Sequence, residues 1–394
     1  MSRLIVLSNR APSLDGKGDS GGLVVALRDA LSKEEGLWIG ANPQLVDEPA
    51  PMLIHHPRED FDVAHFDLTE ADHEGFYLGY SNSVLWPVFH SRVDLAQFRS
   101  DYHDAYKRVA ARVARLLSAE LRPSDRIWVH DYQMIPIAAE LRALGHDNTI
   151  GFFLHIPVPS TATFLAIPEH EEVASWLCQY DLVGLQTQRD VAHFIDLLRQ
   201  VSGCEVLADG RLSACGRRFW GASHPISIDV AGFIQMAETE ADRYRRPDLA
   251  RLIGVDRLDY SKGLPQRFRG FRRFLECNPD KHGKVYLTQI APPTREDVEA
   301  YQSIRDELEG LAGSINGAFG DIDWVPILYI HRAVPRPHLA GLFRRSRVCV
   351  VTPLADGMNL VAKEYVAAQD PADPGVLVLS QFAGAAEEMS EALI

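Results

Sequence analysis

Short apolar runs alternate with longer amphipathic stretches along the whole chain. In the first half the runs Leu4–Ser8, Arg126–His130, Thr149–His155, Leu182–Gln186 and Trp220–Ile228 read as strands. The second half carries a run starting near Leu252, then Val285–Ala291, Val325–Ile330, Val348–Val351 and Val376–Ser380. These runs are short, rich in branched side chains and mostly lack a polar face, as expected of strands buried on both sides of a parallel sheet. Between them, Leu23–Leu31, Val93–Leu121 (one helix or two), Gln266–Leu275, Val298–Leu311, Pro337–Arg345 and the stretch from Asn359 read as helices, and QFAGAAEE opens another. Trp38–His90 follows neither period and reads as irregular. Strands alternating with helices predict an α/β fold of two doubly wound parallel sheets, with ligand sites at the strand carboxyl ends facing each other across a cleft. The segment PISID and the polar run through Arg246 read as a crossover, which divides the chain into domains 1–228 and 229–394. The chain stops at Glu391–Ile394 with an apolar run and no cap, which reads as a truncation or a disordered remainder.

The pattern is most informative at Arg347–Gln369: a buried strand, Pro353 to end it, the turn Asp356-Gly357, then helix. A helix start leaves backbone N–H groups unpaired and its dipole favours an anion. Asp356 in the turn and Glu364 about one turn into the helix flank that site. N–H groups for phosphate and carboxylates for hydroxyls suit a sugar nucleotide; an ordinary βα unit with surface carboxylates is the other reading. In LIGVDRLDYSKG, Arg257 and Lys262 with Gly263 follow a strand. They make either a diphosphate clamp or a salt-bridge network with Asp256 and Asp259.

In the first half, Ser20-Gly21-Gly22 at a helix start either lets the backbone approach a ligand or is a flexible turn. Arg10 is a phosphate ligand or a surface cation. The aromatics Tyr77, Tyr80, Trp86 and Phe89 are core or a sugar-stacking wall. His130-Asp131 ends a strand, where open sheets contact ligands, or is a satisfied structural pair. His155 precedes IPVPS, whose prolines fix the loop; it is a placed hydrogen-bond donor or a core histidine.

Composition narrows the class. The chain has 394 residues, 46% hydrophobic and 24% charged, with net charge -14, which argues against a nucleic-acid or anionic-membrane surface. Five scattered cysteines without a CxxC pair suggest a reducing compartment and no structural zinc. No apolar segment is long enough to span a membrane, and the N-terminal run is too short for a signal peptide, so a cytoplasmic protein is expected. No cluster has metal-ligand spacing, so neither metal nor cofactor is expected.

Together SNR with SGGL, SNSVLWP, HDYQ, GFFLHIPVP, RLDYSKG, TQIAPPTR and DGMNLVAKEYVAAQDP resemble the trehalose-6-phosphate synthase family, retaining glycosyltransferases (family 20) of the two-Rossmann GT-B architecture. The resemblance spans nearly the whole chain in order. It implies transfer of glucose from UDP-, GDP- or ADP-glucose to glucose 6-phosphate, giving α,α-trehalose 6-phosphate. It further implies that Arg257 and Lys262 hold the donor diphosphate, that Glu364 binds the ribose, and that Asp356, His155 and the backbone at Gly357, Met358, Asn359 and Leu360 bind the donor glucose. Gly22 would approach the phosphates. Arg10, Tyr77, Trp86 and Arg295 would hold the acceptor, with Asp131 near the reacting hydroxyl. The resemblance also implies that no metal takes part and that the chain forms a dimer or tetramer. Alternatives are a relative with another acceptor, such as a glucosylglycerol-phosphate synthase, or a non-catalytic sugar-phosphate sensor. Two positions depart from the family pattern: Ala41 where a second Trp is usual, and Ser227 in PISI.

Overall fold

The structure is a computed structural model that describes residues 3–12, 27, 31, 36–58, 61–244, 248–294 and 299–393. Gly22, Arg295 and most of Leu23–Leu31 lie outside the described residues. The chain divides into two compact units, Met1–Pro225 and Ile226–Ile394.

The first unit is built on β1 (Leu4–Arg10), β2 (Gly36–Ala41), β3 (Ile54–His56), β4 (Asp62–Phe66), β5 (Arg126–His130), β6 (Ile150–Phe153), β7 (Leu182–Leu185), β8 (Glu205–Val206), β9 (Leu212–Ala214) and β10 (Arg217–Ser223). Their order is β3-β4-β2-β1-β5-β6-β7-β10-β9-β8. The inner pairs are parallel, while the edges β3, β9 and β8 pair antiparallel. The second unit has β11 (Ala250–Val255), β12 (Val285–Ile290), β13 (Ile327–Ile330), β14 (Val348–Val351) and β15 (Val376–Leu379), all parallel in the order β13-β12-β11-β14-β15. Central strands such as β12 are buried at every position, which is why their sequences show an unbroken apolar run.

Both sheets reverse their strand order beside the first strand. In the first unit the chain builds outward from β1 to β2 and then returns to β5 on the other flank; in the second it does the same from β11 through β12 to β14. At such a switch point the loops leave in opposite directions and open a crevice beyond the carboxyl ends.

The α/β reading with parallel sheets holds in both units, with several corrections of detail. The described residues of Trp38–His90 are regular, not irregular: they include β2, β3, β4 and a π-helix, His73–Leu85. β2 escaped the pattern because glycine interrupts its apolar run, and β3 and β4 are short and carry histidine or aspartate. Gly40 is required there, since a Cβ would lie 2.2 Å from the Ala11 nitrogen. The π-helix start is held by Asp72, which is buried against Arg108 (3.0 Å) and Arg112 (2.7 Å). Burial pushes the Asp72 carboxyl up, but Arg112 and Arg108 together keep it below the usual carboxylate range.

Val93–Leu121 resolves into a short 3₁₀ turn, Val93–Leu95, and one helix, Ser100–Ser118. The strand expected at Trp220–Ile228 begins earlier and ends at Ser223. The polar stretch beyond it contains the helix Val230–Glu240, capped by Asp229, whose Phe233 and Ala237 are buried in the second unit's core. Ile226 and Ile228 pack there too. QFAGAAEE forms only one 3₁₀ turn, Gly384–Glu387. The β8–β9 hairpin is too short to carry a period; Asp209-Gly210 was its one local sign.

Candidate active site

Side chains gather at both switch points. In the first unit β1 ends at Arg10, whose guanidinium lies 6.0 Å from the Tyr77 ring centroid. Tyr77 sits in the π-helix, and its carbonyl accepts the Asn82 amide (2.7 Å). Asn82 in turn accepts the Tyr132 hydroxyl at 2.8 Å. The Tyr132 ring lies 5.6 Å from that of Trp86, which is buried and packed at 4.1 Å on His90. Tyr132 therefore ties the aromatic wall to the end of β5, where Asp131 adopts φ 73°, ψ 169°. A non-glycine residue with positive φ costs of order 1–3 kcal/mol and marks an over-determined position. Here the Asp131 N–H donates to the Phe153 carbonyl (2.8 Å), and its carboxylate accepts the His155 backbone N–H (3.1 Å). The loop after His155 is pinned by Asp190, which accepts the Val158 N–H at 2.9 Å, and by His193 Nδ1 against the Val158 carbonyl at 2.8 Å. The His155 and His130 rings meet at 3.0 Å through Nε2 and Nδ1. Burial pushes the His155 pKa down to about 3, and burial with the neighbouring His155 holds His130 well below the usual range. Both imidazoles are neutral at pH 7.

In the second unit three loops converge. The Leu354 N–H donates to the Ser261 carbonyl (2.7 Å), the Asp356 N–H to Phe382 (3.1 Å) and the Ala385 N–H to Met358 (2.7 Å). Lys262 closes a short turn after β11, followed by Gly263 at φ +62°. Glycine is needed here, because a Cβ would lie 2.1 Å from the Thr352 carbonyl oxygen. The Lys262 ammonium donates to Asp356 Oδ2 at 2.7 Å, and the Asn359 amide donates to the same oxygen at 3.0 Å. Asn359 itself holds φ 80°, and its Oδ1 accepts the Ala362 N–H, capping the helix Leu360–Ala368. Gly357 and Met358 are buried beneath. Glu364, one turn in, accepts from Arg336 (3.1 Å); burial raises its pKa and Arg336 opposes the rise.

The hydrogen bonds of Asp256, Asp259 and Lys262 reach beyond this segment. Asp256 is taken by Arg267 (2.6 Å), Asp259 accepts the Ser261 N–H and the Tyr301 hydroxyl, and Lys262 reaches across to Asp356. Arg257 is exposed at the end of the same strand. The structure thus sets Arg10 against Tyr77, Asp131 against His155, and Lys262 and Asn359 against Asp356, while Glu364 pairs with Arg336. Arg336 and Asn82 were not singled out by pattern; only their long-range partners mark them. Among the described residues no group of three or more His, Cys, Asp or Glu side chains could hold a metal ion.

Residues 4–394 match the model of glycosyltransferase family 20. The trehalose-6-phosphate synthase of Cronobacter sakazakii is similar to this chain at 46% identity over 404 residues, covering 100% of this chain and 84% of its own. A crystal structure of an α,α-trehalose-phosphate synthase (UDP-forming) from Burkholderia vietnamiensis superposes with TM-score 0.96 at 47% identity, covering 100% of this chain and 86% of that one. A UDP-forming enzyme from Burkholderia xenovorans in complex with glucose-6-phosphate gives TM-score 0.93 at 45% identity over 99% of this chain and 88% of that one. With a family match from end to end and identities near one half, this chain belongs to glycosyltransferase family 20.

Proposed function

We propose that this protein transfers glucose from UDP-glucose to the anomeric hydroxyl of glucose 6-phosphate, giving α,α-trehalose 6-phosphate and UDP with the donor configuration retained. The observation that carries this reading is the Lys262–Asp356–Asn359 cluster at the β11/β14 switch point, beside the start of the helix Leu360–Ala368. It offers a cation for phosphate and a carboxylate for sugar hydroxyls in one place. The UDP-forming relatives support uracil as the base, and the glucose-6-phosphate complex supports the acceptor.

In this reading the second unit binds the donor. Arg257 and Lys262 grip the diphosphate, Gly22 approaches it, Asp356 and the backbone of Gly357 to Leu360 take the glucose hydroxyls, and Glu364 takes the ribose. The acceptor is held by Arg10, Tyr77 and Trp86 of the first unit and by Arg295 of the second, with Asp131 at the reacting hydroxyl and His155 offering a hydrogen bond to the donor sugar. The C1–O bond to the β-phosphate breaks as C1–O bonds form to the acceptor on the same face, and the acceptor proton passes to the departing phosphate oxygen. Negative charge grows on UDP as the bond breaks, so preorganised cations aimed at it lower the barrier. No further cofactor enters this scheme. The five cysteines are all unpaired, which supports a reducing, cytoplasmic setting.

The direct test offers UDP-, GDP- and ADP-glucose, each with glucose 6-phosphate, and scores nucleotide release and trehalose 6-phosphate. UDP-glucose should give both. Absence of trehalose 6-phosphate with all three donors would overturn the assignment.

A second expectation concerns Glu364. Arg336 engages Oε1 at 3.1 Å, which leaves Oε2 for a ribose hydroxyl. Arg336→Ala should raise KM for UDP-glucose about tenfold, the scale of one lost charge-assisted hydrogen bond. Its sign with pH is fixed: without Arg336, burial acts on Glu364 unopposed, its pKa climbs further, and the defect widens as pH falls. A donor KM unchanged between pH 6 and 8 would exclude this role.

A further inference from the structure

β5 and β6 lie side by side with His130 paired in register to Phe153. Their ends are stitched by the Asp131 N–H to Phe153 bond and by the His155 N–H to Asp131 carboxylate bond. This places the His130 and His155 rings 5.3 Å apart at 25°, joined by a single Nδ1···Nε2 contact of 3.0 Å. His130 is 1% exposed, walled by Trp128 and Phe153. Two neutral imidazoles joined by one contact share one proton, and the rest of the arrangement follows from where it sits.

If His155 donated from Nε2, His130 would carry its hydrogen on Nε2. That atom is fully buried with no partner among the described residues. A buried N–H without an acceptor is rarer and costlier than a bare lone pair. The proton therefore belongs to His130 Nδ1, and His155 accepts at Nε2. His155 must then hold its own hydrogen on Nδ1, which has no partner among the described residues.

We infer that His130 is a positioning residue that fixes the tautomer of His155, so that His155 presents an N–H, not a lone pair, to an oxygen of the bound sugar. The inference rests on the role proposed above for His155. His130 touches no substrate; it acts only through the second imidazole, as partners of functional histidines commonly do.

The test uses the full chain with ¹⁵N-labelled histidine and a long-range ¹H–¹⁵N correlation at pH 7. Both rings should be neutral and protonated on Nδ1, and His130→Phe should shift His155 away from that form. The same variant should lower kcat/KM about ten- to hundredfold, the range seen when partners of metal-bound imidazoles are removed. His130→Asn, which keeps an amide N–H near the position of Nδ1, should recover most of the loss. In a His155→Ala background, His130→Phe should cost nothing more. Wild-type His155 protonated on Nε2, or Asn as damaging as Phe with the His155 tautomer unchanged, would overturn the inference. If His155→Ala alone has wild-type kcat/KM, the role proposed for His155 fails, while the spectrum still decides what His130 does. Should the Phe variant not fold, the wild-type spectrum and the Asn variant carry the test.

Discussion

Lys262→Ala should lower kcat by about 10²- to 10³-fold while leaving KM for glucose 6-phosphate within about threefold. The figure corresponds to losing one preorganised donor to developing charge, ~3–4 kcal/mol, at 1.36 kcal/mol per tenfold in rate. The geometry favours the upper part of that range. The Lys262 side chain is 10% exposed and that of its partner Asp356 14%, so little water screens the charge. Lys262 is also held on target, because its turn is closed by Asp259 and by Gly263 packed on Thr352. An ammonium has three donors, so it can keep Asp356 and still reach a phosphate oxygen. Loss of Lys262 removes one of the two side-chain donors on Asp356 Oδ2 and keeps the Asn359 amide, which should also disturb the glucose hydroxyls. The decisive comparison is kcat against both Michaelis constants, with melting temperature as a control for folding. Equal losses in kcat and in acceptor affinity would make Lys262 structural and not a leaving-group cation.

Arg267→Met should destabilise the second unit by about 3–5 kcal/mol, the cost of leaving one partner of a buried ion pair alone. Arg267 is 1% exposed and Asp256 2%. The guanidinium donates to Asp256 (2.6 Å), Gln289 (2.8 Å) and Thr352 (3.1 Å), so it joins β11, β12 and the loop after β14. Gly254 makes room for it: a Cβ there would lie 2.4 Å from both Arg267 and Gln289. The pH dependence has a definite sign. Burial raises the Asp256 pKa and Arg267 opposes it, with the net shift upward. A carboxylate whose folded pKa is raised loses stability as pH climbs from its unfolded value through the folded one. In the variant that window moves higher, so the defect should be largest at neutral pH and shrink on acidification. Replacing both partners, as in Asp256→Leu with Arg267→Met, should restore much of the loss. Urea titrations from pH 5 to 8 measure this. A loss under about 1 kcal/mol for the single variant, or one that grows as pH falls, would contradict the account.

Much of this was legible in the chain. Val348–Val351, Val285–Ala291 and Arg126–His130 announce themselves because a strand covered on both faces cannot carry polar side chains. Asp356-Gly357 before a helix start was readable by local chemistry alone as the corner proposed here to take the donor. The misses share one cause, which is that the signal was not local. β2 is broken by Gly36 and Gly40, whose reason is a neighbour's backbone or side chain. The π-helix His73–Leu85 shows no amphipathic stripe at the usual helical period, since nine of its residues are buried.

The alternation of elements, the α/β class and the residue types gathered at the strand ends follow from periodicity and turn chemistry, which act over a few residues at a time. Three other matters were settled only by folding. Lys262 chose Asp356, 94 positions away, over the nearby Asp256 and Asp259. Asp256 was claimed by Arg267 from the next helix. His130 and His155, 25 positions apart, became one hydrogen-bonded pair. Each choice depends on strand order. Adjacency of β11 with β14 and of β5 with β6 brings remote side chains within a few ångströms, and at that range burial and charge, not spacing along the chain, select the partner.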